Sequence, residues 1–306
     1  MPSKQERLEI SDILEDIFDK SICKNGRSLM LDKLLKSKNQ GELIVFASRP
    51  NVGKTSLALE TVYDKINNNN TVLYFSLDLG KEKLKIRLQA IDKDIGIQSI
   101  KNDNQIFNNK NLFIDETTYP SINNIKDQIK LLVNEQDIKL VVIDYLQLIN
   151  DFDIKNKTIT KQLKLLALEL NIQIILLSQV KRRVEKRVNR RPILSDVKSH
   201  NSIEDHADTI IAIYREDIYK EYDEQIKEIK MMNENYKSEF VNNLIVTSEL
   251  KILKSSIGSN STIKMEFNKE IAKFIYEDYS HIISKVDEEL YLSASKAIKD
   301  CDDLNE

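Results

Sequence analysis

The sequence contains no tryptophan, two cysteines and three histidines in 306 residues. Cys23 and Cys301 lie far apart, and neither they nor the histidines have the spacing of metal ligands. This scarcity argues against a zinc site. No apolar run is long enough to cross a bilayer, and the charged N-terminus does not resemble a signal peptide. We therefore expect a protein of the reduced cytoplasm that has no membrane partner.

The chain also lacks an overall basic charge, because its formal net charge is −3. A protein without a global positive field attracts nucleic acid only through a local patch. Its length and its hydrophobic content of 41% suffice for one large α/β domain with appendages, or for two small domains. Any nucleic-acid binding therefore has to come from a particular segment.

The most informative stretch is residues 41–63, GELIVFASRPNVGKTSLALETVY. An apolar strand pattern is followed by a polar turn that ends in Gly-Lys-Thr, and then by a helix-period pattern, which is the order of a P-loop. In such a loop the backbone N–H groups surround nucleotide phosphates, the lysine contacts the outer phosphates, and the hydroxyl binds Mg²⁺. The predicted nucleotide-binding residues are Ser48, Arg49, Pro50, Asn51, Val52, Gly53, Lys54 and Thr55.

This motif has one irregularity, since Ser48 stands where the strict pattern G-x-x-x-x-G-K-[ST] has its first glycine. The alternative interpretation is an ordinary helix that happens to begin with Gly-Lys-Thr. The strand before the loop, the helix after it and a later strand that ends in a carboxylate all favour the phosphate site.

Strand-like and helix-like patterns alternate along the chain after this motif. This alternation predicts right-handed crossovers and an α/β fold with a doubly wound, mostly parallel sheet. The predicted strands are 71–77, 112–114, 139–145, 172–177, 209–214, 250–254 and 262–267, and the predicted helices are 81–92, 121–134, 157–170 and 202–206. We predict an N-terminal helix at 6–18 within a connection at 1–40, a main domain at 41–280 with a charged helical insertion at 217–240, and a terminal helix with an acidic tail at 281–306.

Polar side chains follow three of the predicted strands, where the ligands of parallel sheets bind. Asp144 ends an apolar strand in the arrangement of a Walker B acid, which predicts a carboxylate beside Mg²⁺. Asp78 and Gln179 end two other strands, and they are candidates for polarising a water molecule and for sensing a γ-phosphate. A polar turn at Asp144 and a helix cap at Asp78 are the simpler alternatives.

Residues 181–191, KRRVEKRVNRR, contain seven basic residues and one acidic residue, Glu185. Charge runs are usually solvated loops, but this run directly follows the strand end that carries Gln179. A loop that follows a nucleic-acid backbone is therefore an equal alternative. Because no aromatic residues are interleaved, we expect contacts to phosphates without reading of the base sequence.

The order of these motifs resembles the C-terminal motor domain of DnaB-family replicative helicases, which are ring-forming RecA-like ATPases. The resemblance covers roughly residues 41–276 and includes GELIVFASRPNVGKTSLALE, VLYFSLDLGKEKLKIRL, LVVIDYLQLI, the long stretch from LKLLALEL to IAIYRED, and ELKILKSSIGSNSTIKMEF. It implies ATP and Mg²⁺ as cofactors, Lys54 and Thr55 as phosphate and Mg²⁺ contacts, Asp144 as the Walker B acid, and Gln179 as the γ-phosphate sensor.

The resemblance also implies a homo-oligomer, a hexamer, whose central channel holds single-stranded DNA. Loops 181–191 and 198–202 would face the channel, and helix 6–18 would dock on the adjacent subunit. The DNA contacts implied in this way are Arg182, Arg183, Lys186, Arg187, Arg190, Arg191 and Lys198.

Several positions depart from the family pattern. Asp78 replaces the catalytic glutamate. Lys254 is retained in the hairpin that reaches the neighbour's nucleotide site, but Ser256 replaces the arginine finger. Lys198 is the one positive charge left in the second DNA loop, and no counterpart of the N-terminal helical domain is recognised. Loss of an arginine finger costs about 10³- to 10⁵-fold in turnover, and loss of a general base about 10²- to 10⁴-fold.

Two functions of different classes are compatible with these residues. The first is an ATP-dependent DNA helicase or translocase of DNA replication. The second is a catalytically weak paralogue that binds nucleotide and joins, loads or inhibits a true replicative helicase in a mixed ring. Lys54, Thr55, Asp144 and Gln179 favour the first, and the changes at the catalytic and finger positions favour the second. A recombination or signalling ATPase of the RecA type fits the motifs less well.

Overall fold

The computed structural model describes residues 41–100, 107–150, 159–197, 202–220, 244–255 and 262–275. The predicted helix 6–18, the tail at 281–306 and nearly all of the insertion at 217–240 lie outside these residues. Within the described part of the chain, no helix is both long enough and apolar enough to cross a membrane.

The described strands form one nine-stranded sheet in the order β3-β2-β4-β5-β1-β6-β7-β8-β9. Strands β1 to β6 pair in parallel, and β6 to β9 pair antiparallel. The predicted doubly wound, mostly parallel sheet is therefore confirmed. The strands are β1 Leu43–Ser48, β2 Thr71–Ser76, β3 Leu112–Asp115, β4 Ile138–Asp144, β5 Gln173–Gln179, β6 Thr209–Arg215, β7 Ile245–Lys254, β8 Thr262–Asn268 and β9 Lys273–Ile275.

Helices connect the parallel strands and cover the sheet. Ser121 caps one of them, α4, because its hydroxyl accepts a hydrogen bond from the backbone N–H of Asn124, as its position before the apolar periodicity predicts. The helices are α1 Lys54–Asn67, α2 Lys81–Lys93, α3 Ile97–Ile100, α4 Ile122–Gln136, α5 Ile159–Leu170, α6 Leu194–Val197 and α7 Ile203–His206, with 3-10 turns at Leu146–Leu148 and Arg182–Lys186.

The central strand β1 is buried along its whole length, as expected for a parallel strand with helices on both faces. Leu43, Val45 and Ala47 belong to the main apolar core together with residues of α4, α5, β4 and β5. Ile44 and Phe46 alternate with them and are equally buried. The carboxyl end of β1, at Ser48, is therefore also buried.

The last two strands brace the loop between β1 and α1. Phe267 of β8 and Phe274 of β9 pack edge to face with ring centroids 4.8 Å apart. A Cβ on Gly53 would lie 3.0 Å from Cζ of Phe274, and Gly53 has a φ of 118°, a conformation that strains any other residue. Glycine is therefore required at this position. The sequence patterns did not predict β9, since three residues are too few for a periodicity.

Candidate nucleotide-binding site

The carboxyl ends of the parallel strands bring the predicted site residues to one edge of the sheet. Ser48 at the end of β1 pairs with Gln179 at the end of β5, and Ser76 at the end of β2 pairs with Asp144 at the end of β4. Helix α1 begins at Lys54, directly after the loop from β1. The loop, Lys54 and two of the three predicted strand-end residues, Asp144 and Gln179, thus lie at the same edge of the sheet.

The Asp144 carboxylate is held by two hydroxyl groups. Its Oδ2 accepts hydrogen bonds from Oγ1 of Thr55 at 2.9 Å and from the phenol of Tyr74 at 2.8 Å. Tyr74 lies on β2 and is fully buried. Tyr74 was not among the predicted site residues, because only the pairing of β2 with β4 brings its phenol to Asp144. Hydroxyl and carboxylate oxygens are hard ligands, so Thr55 and Asp144 fit the needs of Mg²⁺.

Burial sets the protonation equilibria in this cluster. The side chain of Lys54 is 8% exposed, and burial lowers its pKa to about 8, while Asp144 favours the charged form and Arg49 opposes it. Burial likewise raises the pKa of the Asp144 carboxyl, against the hydrogen bonds from Tyr74 and Thr55, which lower it. A bound anion therefore stabilises the ammonium form of Lys54.

The end of β5 is connected to the segment after β4 through an amide cluster. The side-chain oxygen of Gln147 accepts from the backbone N–H of Gln179 at 3.2 Å, and its NH₂ donates to Oγ of Ser178 at 3.1 Å. Tyr145 joins this cluster, and its hydrogen bond with the Gln179 side chain opposes the burial that raises the pKa of its phenol. The predicted sensor Gln179 is thus positioned by the segment that carries Asp144.

Asp78 is exposed and lies on the connection after β2. Its charge acts on both Lys54 and Asp144, which places it at the rim of the same site. The N-cap of α2 is Gly80, so the alternative role of Asp78 as the cap of this helix is not observed.

The loop itself is fixed from both sides. Ser48 is fully buried and donates a hydrogen bond from its hydroxyl to the carbonyl of Arg49. The Arg49 side chain turns away from the loop toward the segment after β5. On the other side, Arg215 of β6 donates to the carbonyl of Asn51 at 3.3 Å and lies over the ring of Phe267. The other loop residues run between these braces, with Pro50 half-buried and Val52 buried.

The basic segment, residues 181–191, is less free than its sequence suggests. Arg183 and Arg187 form ion pairs with Asp196, which is 1% exposed. Arg191 binds both carboxylate oxygens of Glu249 at 2.6 Å. Arg190 donates to the Tyr219 carbonyl. The predicted DNA contacts that are exposed and have no ion-pair partner within the described residues are Arg182 and Lys186.

Comparison with known proteins decides the family. The sequence pattern of the DnaB-like helicase C-terminal domain matches residues 27–276. The chain belongs to the DnaB-like helicase C-terminal domain family. Solved structures agree, since one solved ATPase domain matches with a TM-score of 0.68 and 26% identity over 91% of this chain and 100% of that chain. A DnaB-like replicative helicase, solved in a study of its interactions with primase, matches with the same TM-score and identity over 91% of this chain and 68% of its own.

Curated relatives point to the same family. A probable replicative DNA helicase of Trieres chinensis is 32% identical over 266 residues, which are 80% of this chain and 55% of the relative. The replicative DNA helicase DnaB of Geobacillus stearothermophilus is 30% identical over 268 residues, 80% of this chain and 54% of the relative. The chain spans about half the length of the curated relatives it matches.

Ser256, the predicted replacement for the arginine finger, and Lys198, a predicted DNA contact, lie outside the described residues. The retained Lys254 ends β7 and donates a hydrogen bond to the carbonyl of Glu204 at 2.8 Å, within its own chain. The roles of all three stay predictions.

The lowered pKa of Lys54 predicts how nucleotide affinity depends on pH in the absence of Mg²⁺. Without nucleotide the pKa is about 8. Phosphates bind the protonated form and raise this pKa. Affinity should therefore be highest below pH 8 and should fall by about tenfold per pH unit above it. Titration of a fluorescent nucleotide analogue at several pH values measures this slope. The Lys54→Arg variant keeps its charge, so its nucleotide affinity should not change across this pH range. A wild-type affinity that is equally independent of pH would contradict a Lys54 pKa of about 8.

The buried carboxylate of Asp196 predicts a structural role for part of the basic segment. It accepts hydrogen bonds from Arg187 at 2.6 Å and from the backbone N–H of Ile193 at 2.9 Å, besides its ion pair with Arg183. We expect Asp196→Ala to lower the free energy of unfolding by about 2–3 kcal/mol, because hydrogen bonds to a charged group are lost. Chemical denaturation measures the change. Asp127→Ala on the exposed face of α4 is the control, and an equal effect of both would refute the role.

Proposed function

We propose that this protein is an ATP-dependent DNA helicase or translocase of DNA replication that forms a ring around single-stranded DNA in the cytoplasm. The observation that carries the proposal is the cluster of Lys54, Thr55 and Asp144 at the edge of the sheet, with the basic segment leaving the neighbouring strand β5. A site for phosphates next to a site for a phosphate backbone is what a DNA motor requires.

In this proposal ATP occupies the loop of residues 48–55. Lys54 binds the outer phosphates, and the N–H groups at the start of α1 point at them. Thr55 and Asp144 hold Mg²⁺, which when bound neutralises charge on the phosphates. Asp78 accepts the proton of the attacking water, and Gln179 contacts the γ-phosphate. The single carboxylate at the metal position suits Mg²⁺, which takes one or two carboxylates and the substrate phosphates as ligands.

The DNA contacts of the proposal are phosphate contacts. Arg182 and Lys186 are exposed and bind the strand directly, whereas Arg183, Arg187 and Arg191 act mainly by holding the segment in place. Lys254 contributes charge to the nucleotide site of the adjacent subunit when the ring is assembled. The oligomer is a hexamer of this chain, and a mixed ring with a replicative helicase is the alternative assembly.

The proposal is tested by steady-state ATP hydrolysis with and without single-stranded DNA, beside unwinding of a forked duplex. Native mass spectrometry reports the subunits in the ring. DNA-stimulated turnover together with unwinding supports a helicase, and stimulated turnover without unwinding supports a translocase. Tight nucleotide binding without turnover, together with capture into the ring of a DnaB-like helicase, would replace the proposal with the weak paralogue.

A further inference from the structure

Arg49 makes a direct connection between the nucleotide loop and the basic segment. Its Nε donates to Oε1 of Glu185 at 2.6 Å, and its Nη1 donates to the carbonyl of Val180 at 2.9 Å. The arginine is 6% exposed, and its contact with Val180 is buried, whereas the Glu185 side chain is 31% exposed. The partners lie more than 130 positions away in the sequence, at separations of 136 and 131 residues.

Both partners lie where a change in the loop would reach the basic segment. Val180 follows Gln179 and donates its own backbone N–H to the carbonyl of Ser48 at 2.9 Å. Glu185 lies within the 3-10 turn Arg182–Lys186, between the exposed Arg182 and Lys186. It is the single acidic residue of the segment, and its carboxylate is paired with the nucleotide loop.

Phosphates in the loop change the electrostatic surroundings of Arg49. Its charge already acts on the neighbouring Lys54, which contacts the outer phosphates in the proposed function. The Arg49 guanidinium turns away from the loop toward Glu185 and Val180, so phosphates in the loop act on it through their negative charge and not as competing ligands. That charge changes the electrostatic potential at Arg49 and at Glu185, and the strength of their ion pair then depends on whether nucleotide is bound.

We propose that the Arg49–Glu185 pair couples occupation of the nucleotide loop to the affinity of the basic segment for single-stranded DNA. This inference rests on the proposed function, since it uses DNA as the ligand of the segment. Glu185 acts as a positioning residue: it holds the turn that carries Arg182 and Lys186 against the loop. By thermodynamic linkage, nucleotide changes DNA affinity by the same factor by which DNA changes nucleotide affinity.

The test measures DNA affinity of the full chain by fluorescence anisotropy, without nucleotide and with a non-hydrolysable ATP analogue. The ratio of the two dissociation constants is the coupling factor, for which couplings of about 5- to 150-fold are typical. We expect Glu185→Gln to bring the ratio close to one, and Glu185→Asp to restore part of it. Glu169→Gln, the same change at an exposed ion pair on α5, is the matched control and should leave the ratio unchanged.

The charge of the variant separates coupling from simple electrostatics. Glu185→Gln removes a negative charge from a basic segment, so electrostatics alone predicts tighter DNA binding and an unchanged ratio. That result would overturn the proposal. If wild type does not bind DNA, the proposed function fails and the coupling is judged by hydrogen exchange of residues 181–187. An exchange change on adding ATP analogue that is lost in Glu185→Gln supports the coupling, and an equal change or no change in both proteins refutes it.

Discussion

Replacing Lys54 with alanine is expected to lower ATP turnover by at least about 10²-fold. The side chain is 8% exposed and lies beside Asp144, where a cation balances both the carboxylate and the incoming phosphates. Removal of one preorganised charged donor from a water-excluded site costs about 10²- to 10³-fold in rate. The same change removes a phosphate contact from the ground state, so nucleotide affinity should fall as well.

Lys65→Ala is the matched control, because it removes the same side chain from the last turn of the same helix, far from the loop. Turnover is measured under saturating nucleotide, and binding of a fluorescent analogue is measured separately. Circular dichroism shows whether each variant is folded. Equal turnover of Lys54→Ala and Lys65→Ala would mean that the loop is not the hydrolytic site, and the proposed function would then lose its central observation.

The location of this site was predictable because three local signals agree. A buried strand, a Gly-Lys-Thr turn and a helix follow one another without a gap, so Lys54 can be recognised in the sequence without knowledge of any distant contact. The strand that ends in Asp144 was equally local. Parallel pairing then places the two strand ends at one edge of the sheet, as the alternation of strands and helices predicts.

The contacts that tune the site were not predictable from local patterns. Tyr74 looks like one more apolar residue of a buried strand, and only the pairing of β2 with β4 brings its phenol to Asp144. Arg49 looks like an ordinary loop residue in the sequence. Its partner Glu185 is 136 positions away, so no local pattern indicates that the two residues form an ion pair. Such long-range polar contacts depend on tertiary geometry and leave no periodicity in the sequence.

The internal partners of the basic segment were not predictable from the sequence either. Its composition suggests a row of equivalent DNA contacts, and no local pattern shows which of its arginines have internal partners. Burial of Asp196 and the position of Glu249 on β7 divide them into residues with internal partners and residues with exposed charge. A count of basic residues therefore overstates the number of phosphates that the segment binds.

Ser256→Arg is the second change with a large expected effect, and it should increase turnover. An arginine finger supplied by a neighbouring subunit contributes about 10³- to 10⁵-fold in phosphoryl transfer, and the resemblance to DnaB-family helicases puts that arginine at this position. We expect the rate of DNA-stimulated ATP hydrolysis by assembled rings to increase by a factor that approaches about 10³-fold. Adding Asp78→Glu should increase this rate further. Ser259→Arg adds the same charge three positions away and should have little effect.

The decisive form of this experiment places the two functions in separate subunits. A chain with both Lys54→Ala and Ser256→Arg cannot hydrolyse ATP well itself, but it carries the finger. When it is mixed with wild type, turnover should increase, because its arginine enters the nucleotide site of a neighbour whose Lys54 is intact. Dilution below the assembly concentration should abolish the increase. If mixed rings are shown to be assembled and turnover does not increase, the missing arginine does not limit ATP hydrolysis. Asp78 would then be the remaining candidate for the residue that limits the rate.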